Sequence, residues 1–480
     1  MTTKLANLQL YRWRYAIGYV FLTLAGLALL AVALFYVPAG LTHAETQSVV
    51  ATAALSFHSL SPDSVINAPY HVLQWLSIRT LRLTPISVKL PSAIIAILTI
   101  IGVVGLLRYW FRRNVAILTS IIVVTTGQFL FLAQNGTPEI MPIFWAVWIL
   151  FSALMVSRAA RFATFWKIML FGTAALSLYT PLSIYMLVAV VSAGLLHPHL
   201  RYLIRQMSTL KVAIAIIFAV AIITPLGYAI SLDHSILLKL VGWPHLPIVW
   251  QNTATTLYNE YVNFMTSTHV PILTPIYGLG YVLLAVLGII RFATAKYTAR
   301  GYILVAWIIL LIIVVAFNPR DVAVTFVPVM LLVATGIDSL FRRWYSLFPR
   351  NPYARVAGLV PLAVLLGGMI ASGLIRYINT YTYDPIKVEQ FSPDLHLVNH
   401  ELQHTASLTL VVRPDSAAFY DVLAKYNPHV QVTETMAPPN SHQPELVERG
   451  VQNHPSPDGL SRIVTDSMSH NADRFYLYQK

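Results

Sequence analysis

Residues 41–92 read LTHAETQSVVATAALSFHSLSPDSVINAPYHVLQWLSIRTLRLTPISVKLPS, and the fold turns on how this stretch is interpreted. It is too polar to cross a bilayer and too apolar for an ordinary surface loop. Two parts alternate at helical spacing, residues 45–57 and residues 67–83. The second carries Tyr70, Leu73, Trp75, Leu76, Leu81 and Leu83 on its apolar side. Such segments fit helices lying in a membrane interface with the apolar face down. The stretch also contains Glu45, the first acidic residue of the chain.

Interfacial helices need membrane spans beside them, and both flanks supply these. Of 480 residues, 57% are hydrophobic and only 11% charged, which excludes a soluble enzyme. Apolar runs of about 18–22 residues match a hydrocarbon core of roughly 30 Å. They are continuous rather than alternating, so a spanning sheet is excluded. The expected spans number about eleven: 15–37, 90–107, 115–133, 140–157, 167–179, 182–196, 211–231, 271–290, 301–317, 322–341 and 356–375. The first reads as a retained anchor, because its apolar core is too long for a signal peptide and no A-x-A cleavage site follows. With no cysteine, disulfides, thiolate catalysis and cysteine metal sites are all excluded.

The formal charge of +13 would suit a nucleic-acid partner if it were clustered, but it is not. Alternate connections between spans hold 19 of the 32 cations. The opposite connections hold only Arg79, Arg82, Lys89, Lys239, Arg320 and Arg376 before the polar tail. Basic charge therefore records topology, with the N-terminus cytoplasmic and the first loop outside. An odd number of spans then places the C-terminus outside, and nucleic acid is excluded as a partner. Of the seven acids before residue 378, six fall on the outer side (Glu45, Asp63, Glu139, Asp233, Glu260 and Asp321), which places any chemistry there.

The expected organisation is a transmembrane domain over residues 1–377, with interfacial helices in outer loops 38–89 and 232–270. A small extracytoplasmic α/β domain over 385–480 follows, of a size that can fold alone. The second outer loop has Trp243, Trp250, Tyr258 and Tyr261 as interfacial anchors. No phosphate-binding glycine loop, dinucleotide fingerprint or paired-histidine metal motif occurs.

Glu45 and Glu139 each have a plain helix-start reading. Thr42-His43-Ala44-Glu45 fits a capping box, and Thr137-Pro138-Glu139 puts a cap, a first-turn proline and an acid at a helix start. A first-turn carboxylate is also held rigidly, so capping and catalysis do not exclude each other. The six outer-loop histidines, His43, His58, His71, His234, His245 and His269, show no metal-ligand spacing, and a metal role for them with the two acids stays open. Tyr70, Trp75, Trp243 and Trp250 suit either interfacial anchoring or stacking on sugar.

Over residues 10–200 the order of motifs resembles the membrane-embedded glycosyltransferases of the dolichyl-phosphate-mannose protein mannosyltransferase and aminoarabinose transferase type. Those carry an Asp-Glu after the first span, then a Pro-Pro-Leu/Tyr segment and an Arg-Leu-Pro-Ser segment. Here the corresponding residues are Ala44-Glu45, Ala68-Pro69-Tyr70 and Lys89-Leu90-Pro91-Ser92. The family's second acid, after the third span, is matched by Glu139 in Gln134-Asn135-Gly136-Thr137-Pro138-Glu139. The departure is Ala44, which falls on the family's catalytic Asp. The resemblance implies an all-α polytopic fold and a sugar donor linked to polyprenyl phosphate, used on the outer leaflet of the plasma membrane with inversion. It implies a glycan, lipid or protein acceptor, and Glu45 and Glu139 as catalytic acids. The departing phosphate needs a cation, for which Lys89 and Arg320 are the candidates, with Tyr70 and His71 beside the substrate. A divalent metal remains an open cofactor. Two other classes stay in view: a catalytically inactive scaffold, which Ala44 favours, and a lipid-linked glycan transporter. The near absence of charge within the spans argues against the transporter.

Overall fold

The computed structural model describes the chain except residues 1–8, 36–39, 56–61, 159–160, 244–249, 259–276, 295–297, 320, 349–351, 384–389, 406, 436–443, 452–455, 466–472 and 480. Apolar helices lie over the described parts of the expected spans, though one of these spans is split, and the first is α1 (Gln9–Phe35). Two helices of the first loop follow, α2 (His43–Ala53) and α3 (Ala68–Leu81). The chain then enters the bundle through α4 (Pro85–Trp110), α5 (Arg113–Thr125), α6 (Gly127–Gln134) and, after a 3-10 turn at Pro138–Ile140, α7 (Met141–Ser157). It continues with α8 (Ala163–Ser177), α9 (Ser183–Leu196), α10 (Pro198–Arg205) and α11 (Thr209–Leu232). The second loop contributes α12 (Ser235–Val241) and α13 (Trp250–Leu257). The bundle closes with α14 (Leu279–Thr294), α15 (Ala299–Phe317), α16 (Ala323–Leu347), the short α17 (Pro352–Ala357) and α18 (Leu359–Tyr383). Among the described residues six helices are long and apolar enough to cross a membrane, or up to eight if each bent pair counts as one span. The chain is a multi-pass helical membrane protein.

One local departure from the sequence reading matters. The expected span 115–133 is broken at Thr126, where α5 and α6 meet at 57°. The cause is local: Thr125 and Thr126 turn their hydroxyls onto the carbonyls of Ile121 and Val123, 2.9 and 2.6 Å away, and Gly127 follows. The expected interfacial helix over 67–83 is α3, which presents apolar residues away from the protein. Val72, Leu73 and Leu76 are exposed, whereas Tyr70, His71, Gln74 and Ser77 are buried. An outward apolar face suits a helix bedded in lipid.

The tail folds as α19 (Asp394–His404) and α20 (Pro414–Tyr426) with strands β1 (Leu408–Val411), β2 (Val430–Thr433), β3 (Glu445–Glu448), β4 (Leu460–Thr465) and β5 (Asp473–Tyr478). The sheet order is β2-β1-β3-β5-β4, parallel across β2-β1-β3 and antiparallel across β3-β5-β4. This module sits on the first loop. Leu41 and Ser392 form an antiparallel bridge through two 2.9 Å hydrogen bonds, and Asn399 donates to the Leu83 carbonyl at 3.0 Å. Leu41, Val49, Ile78, Leu83 and Val88 share one apolar core with Leu395, Val398, Phe419 and Leu423 of the tail. The first loop and the tail thus lie at the same end of the bundle.

Candidate active site

Glu45 opens the site because every other element is arranged about it. Thr42 is the N-cap of α2, and the expected capping box is complete. The Thr42 N–H and hydroxyl donate to Glu45 Oε2 at 2.7 and 3.2 Å, and the Glu45 N–H donates to Thr42 Oγ1 at 3.2 Å. The other carboxylate oxygen, Oε1, accepts the Gly136 N–H at 2.6 Å, across 91 residues of sequence. The side chain is fully buried. Gly136 is there because its backbone approaches so closely: a Cβ would lie 2.6 Å from Val88 Cγ1 and 2.9 Å from the Val88 carbonyl oxygen.

Gln74 holds that loop from its other side. Its amide donates to the Gly136 carbonyl at 2.9 Å and to the Val88 carbonyl at 3.3 Å. Its oxygen accepts from Ser48 at 2.9 Å and Thr52 at 2.6 Å. Because the Thr52 hydrogen is spent on Gln74, its oxygen accepts from His71 Nδ1 at 2.8 Å, which assigns the Nδ1–H tautomer. Burial pushes the imidazole down to about 4, so His71 is a neutral donor. Tyr70 is fully buried with its hydroxyl 2.9 Å from Ser92, and burial raises its phenol well above the usual range. Lys89 donates to the Gly40 carbonyl at 2.8 Å, and its ammonium lies 5.6 Å from the Phe391 ring centroid.

Glu45, Tyr70, His71 and Lys89 therefore come together as the sequence led one to expect, but as a buried hydrogen-bonded knot. Glu139 differs from them. It sits in the 3-10 turn Pro138–Ile140 with its side chain accessible. Thr137, expected to cap this turn, makes no side-chain cap bond, because the turn is 3-10 rather than α. Around the Glu139 carboxylate lie Asp321, Asn135 and Glu45, within electrostatic reach. Asp321 is likewise accessible, yet surrounding protein desolvates it enough to raise its carboxyl above the ordinary range. Accessible acids that are nonetheless desolvated describe a hollow rather than a convex surface. Arg320 lies outside the described residues, as do His58, His245, His269 and Glu260. Among the described residues no three of His, Asp and Glu form a metal-holding group.

Gln74 was not noticed in the sequence, and Gly136 and Asp321 appeared there only as a motif residue and an outer acid, not as site residues. Gln74 had a signal: it falls on the buried side of α3 with Tyr70, four residues earlier.

Comparison with solved structures places this architecture. The chain matches ArnT from Cupriavidus metallidurans in the apo state with TM-score 0.53 and 12% identity, over 96% of this chain and 98% of that one. It matches the same protein bound to undecaprenyl phosphate with TM-score 0.51 and 14% identity over the same shares. The Archaeoglobus fulgidus oligosaccharyltransferase, tethered with an acceptor peptide via a disulfide bond, gives TM-score 0.51 and 14% identity. That match spans 88% of this chain but only 64% of the archaeal one. At such identities the likeness is one of fold alone. No protein-family model matches the sequence, and no curated protein sequence matches it.

Proposed function

We propose that this protein transfers a sugar from a polyprenyl-phosphate donor to a hydroxyl acceptor at the outer face of the membrane, with inversion. The observation that carries the proposal is the accessible acid pair Glu139 and Asp321, set in a hollow beside the rigid Glu45–Gly136 link. In the reaction the acceptor oxygen forms a bond to the anomeric carbon as the carbon–oxygen bond to phosphate breaks. The bond electrons leave with the phosphate, and the acceptor proton passes to a carboxylate. Glu139 is placed to take that proton, because its side chain is open to an incoming hydroxyl. Glu45 has both oxygens occupied by protein donors, so its part is to fix the Gly136 turn and thereby Glu139 three residues on. Among the outer cations, Lys89 is tied to the Gly40 carbonyl and Arg79 lies over the Trp75 ring at 5.0 Å. Arg320 keeps its sequence-based role as the phosphate's partner.

The basic-residue asymmetry supports a cytoplasmic N-terminus, and the Leu41–Ser392 bridge puts the tail on the same side as the first loop. The test is sugar transfer from a labelled polyprenyl-phosphate donor in proteoliposomes. Glu139→Gln should lower the rate by about 10²–10⁴-fold without loss of folded protein. Undiminished transfer by this variant would refute the assignment. Absence of transfer by the wild type across donors would favour the scaffold reading that Ala44 suggests.

A further inference from the structure

A second cavity, of about 320 Å³, opens where α5 breaks into α6 and is closed by the start of α14 and the middle of α18. Its volume falls at the lower end of the range for ligand pockets, roughly 300–1,000 Å³. Glycines at 127, 280 and 368 keep its wall open, while Leu279 and Val364 on its rim are 60% and 70% exposed toward the surrounding membrane. Gln128 lines it, is 2% exposed, and neither its amide nitrogen nor its amide oxygen has a hydrogen-bond partner among the described residues. Tyr281, from the opposite wall, is 7% exposed and its hydroxyl is also without a partner. Polar groups buried at membrane depth are ordinarily paired, so three uncommitted atoms at one cavity point to a ligand. An amide and a phenol both donate and accept, and no lining residue is charged. That combination rejects a phosphate or an ammonium and fits hydroxyls.

We propose that this cavity binds a membrane-dissolved lipid through an uncharged, hydroxyl-bearing head such as a glycosyl group, entering sideways between α14 and α18. The site is separate from the acid hollow and does not depend on the proposed transfer reaction. The eight-residue helix α6 joins the two, running from the cavity at Gly127 and Gln128 to the turn that carries Gly136.

Dodecyl glucoside serves as the probe, titrated into full-length protein held in dodecyl-dimethylamine oxide, with bound copies counted by native mass spectrometry. One glucoside per chain is expected for the wild type. Gln128→Leu and Tyr281→Phe should each weaken retention about tenfold, the effect of one lost hydrogen-bond pair. Gly368→Leu should abolish it; a Cβ at Gly368 meets nothing within 4 Å, so the added side chain enters open space without displacing backbone. Thermal midpoints report that each variant is folded. Equal retention by wild type and Gly368→Leu would overturn the site. Equal retention by Gln128→Leu would mean that the amide is hydrated rather than recognising the head. Equal wild-type retention of a tail-matched dodecyl phosphocholine would leave only an apolar groove, which also refutes the proposal.

Discussion

Replacing Glu45 by Gln separates a lock from a catalyst. Three hydrogen bonds end on this carboxylate, two on Oε2 from Thr42 and one on Oε1 from Gly136. Glutamine has one accepting oxygen. If that oxygen faces Thr42 the capping box survives, since glutamine is suited to its third position. The amide nitrogen then faces the Gly136 N–H, a donor against a donor at a site where the wild-type distance is 2.6 Å. Losing a charge-assisted bond and leaving a buried N–H unpaired together cost about 2–4 kcal/mol. The expected result is a clear fall in thermal midpoint, with transfer reduced because the Gly136 turn shifts and carries Glu139 with it. The pH dependence of the remaining transfer distinguishes the roles. If Glu139 is the base, Glu45→Gln keeps the acid limb of the wild-type profile and Glu139→Gln loses it. Wild-type stability for Glu45→Gln, combined with lost transfer and a lost acid limb, would refute the reasoning and make Glu45 the base.

Asp321→Asn should alter the position of the acid limb while leaving the fold intact, because the Asp321 charge lies within electrostatic reach of Glu139; an unchanged pH profile would remove it from the site. Gly136→Ala should destabilise by about 1–3 kcal/mol, since its Cβ meets Val88 backbone at 2.9 Å; differential scanning calorimetry of the solubilised protein reads this. His71 is neutral in the fold with a value near 4, while the unfolded chain titrates near 6.5. The unfolded state therefore takes up the proton first, and stability contributed by His71 is whole above about 6.5 and is lost as pH falls toward 4, by roughly 3 kcal/mol. His71→Asn, which keeps a donor toward Thr52, should flatten that slope; identical slopes would show that His71 does not set it. A cytoplasm-only reporter fused after Lys480 should stay silent, and a strong signal would invert the topology.

Much of this was legible because membrane spans and caps are local. The described parts of most apolar runs expected to span fall on one helix, 115–133 being split between α5 and α6, and Thr42–Glu45 forms the capping box that four consecutive residues encode. In the tail, an α/β domain was expected, and β1, β2 and β5 form where β-branched and aromatic residues cluster locally. β3 was not legible, because its ends are glutamates. Glu448 is buried there by accepting from Arg413 at 3.0 Å, a pairing across 35 residues. The site was half legible for the same reason. Motifs bring out Glu45 and Glu139, but that Glu45 is occupied depends on a bond to Gly136 that no local pattern announces. The outward apolar face of α3 was legible from its spacing, but the buried polar side, with His71, Gln74 and Ser77, depends on partners far away in sequence.

The tail domain acquires a role from three consecutive residues. The Gly40 carbonyl accepts from Lys89, Leu41 pairs with Ser392, and Thr42 binds Glu45, so one short segment is tied to a helix of the bundle, the tail and the acid at once. A Cβ at Gly40 would lie 2.5 Å from the Ser392 carbonyl oxygen, which shows how closely the tail is pressed against this point. The shared core of Leu41, Val49 and Val88 with Leu395 and Val398 extends that contact under the whole of α2. Burying such side chains stabilises by about 1.5–3 kcal/mol each, so the docking is stronger than any single hydrogen bond in the knot. The orientation of Glu45 is thus set from two directions: by Gly136 from the bundle and by the sheet domain through residues 40–42. A carboxylate that only capped α2 would need neither. The double constraint is what the proposed transfer would require of a residue that holds the neighbouring acid, Glu139, in position.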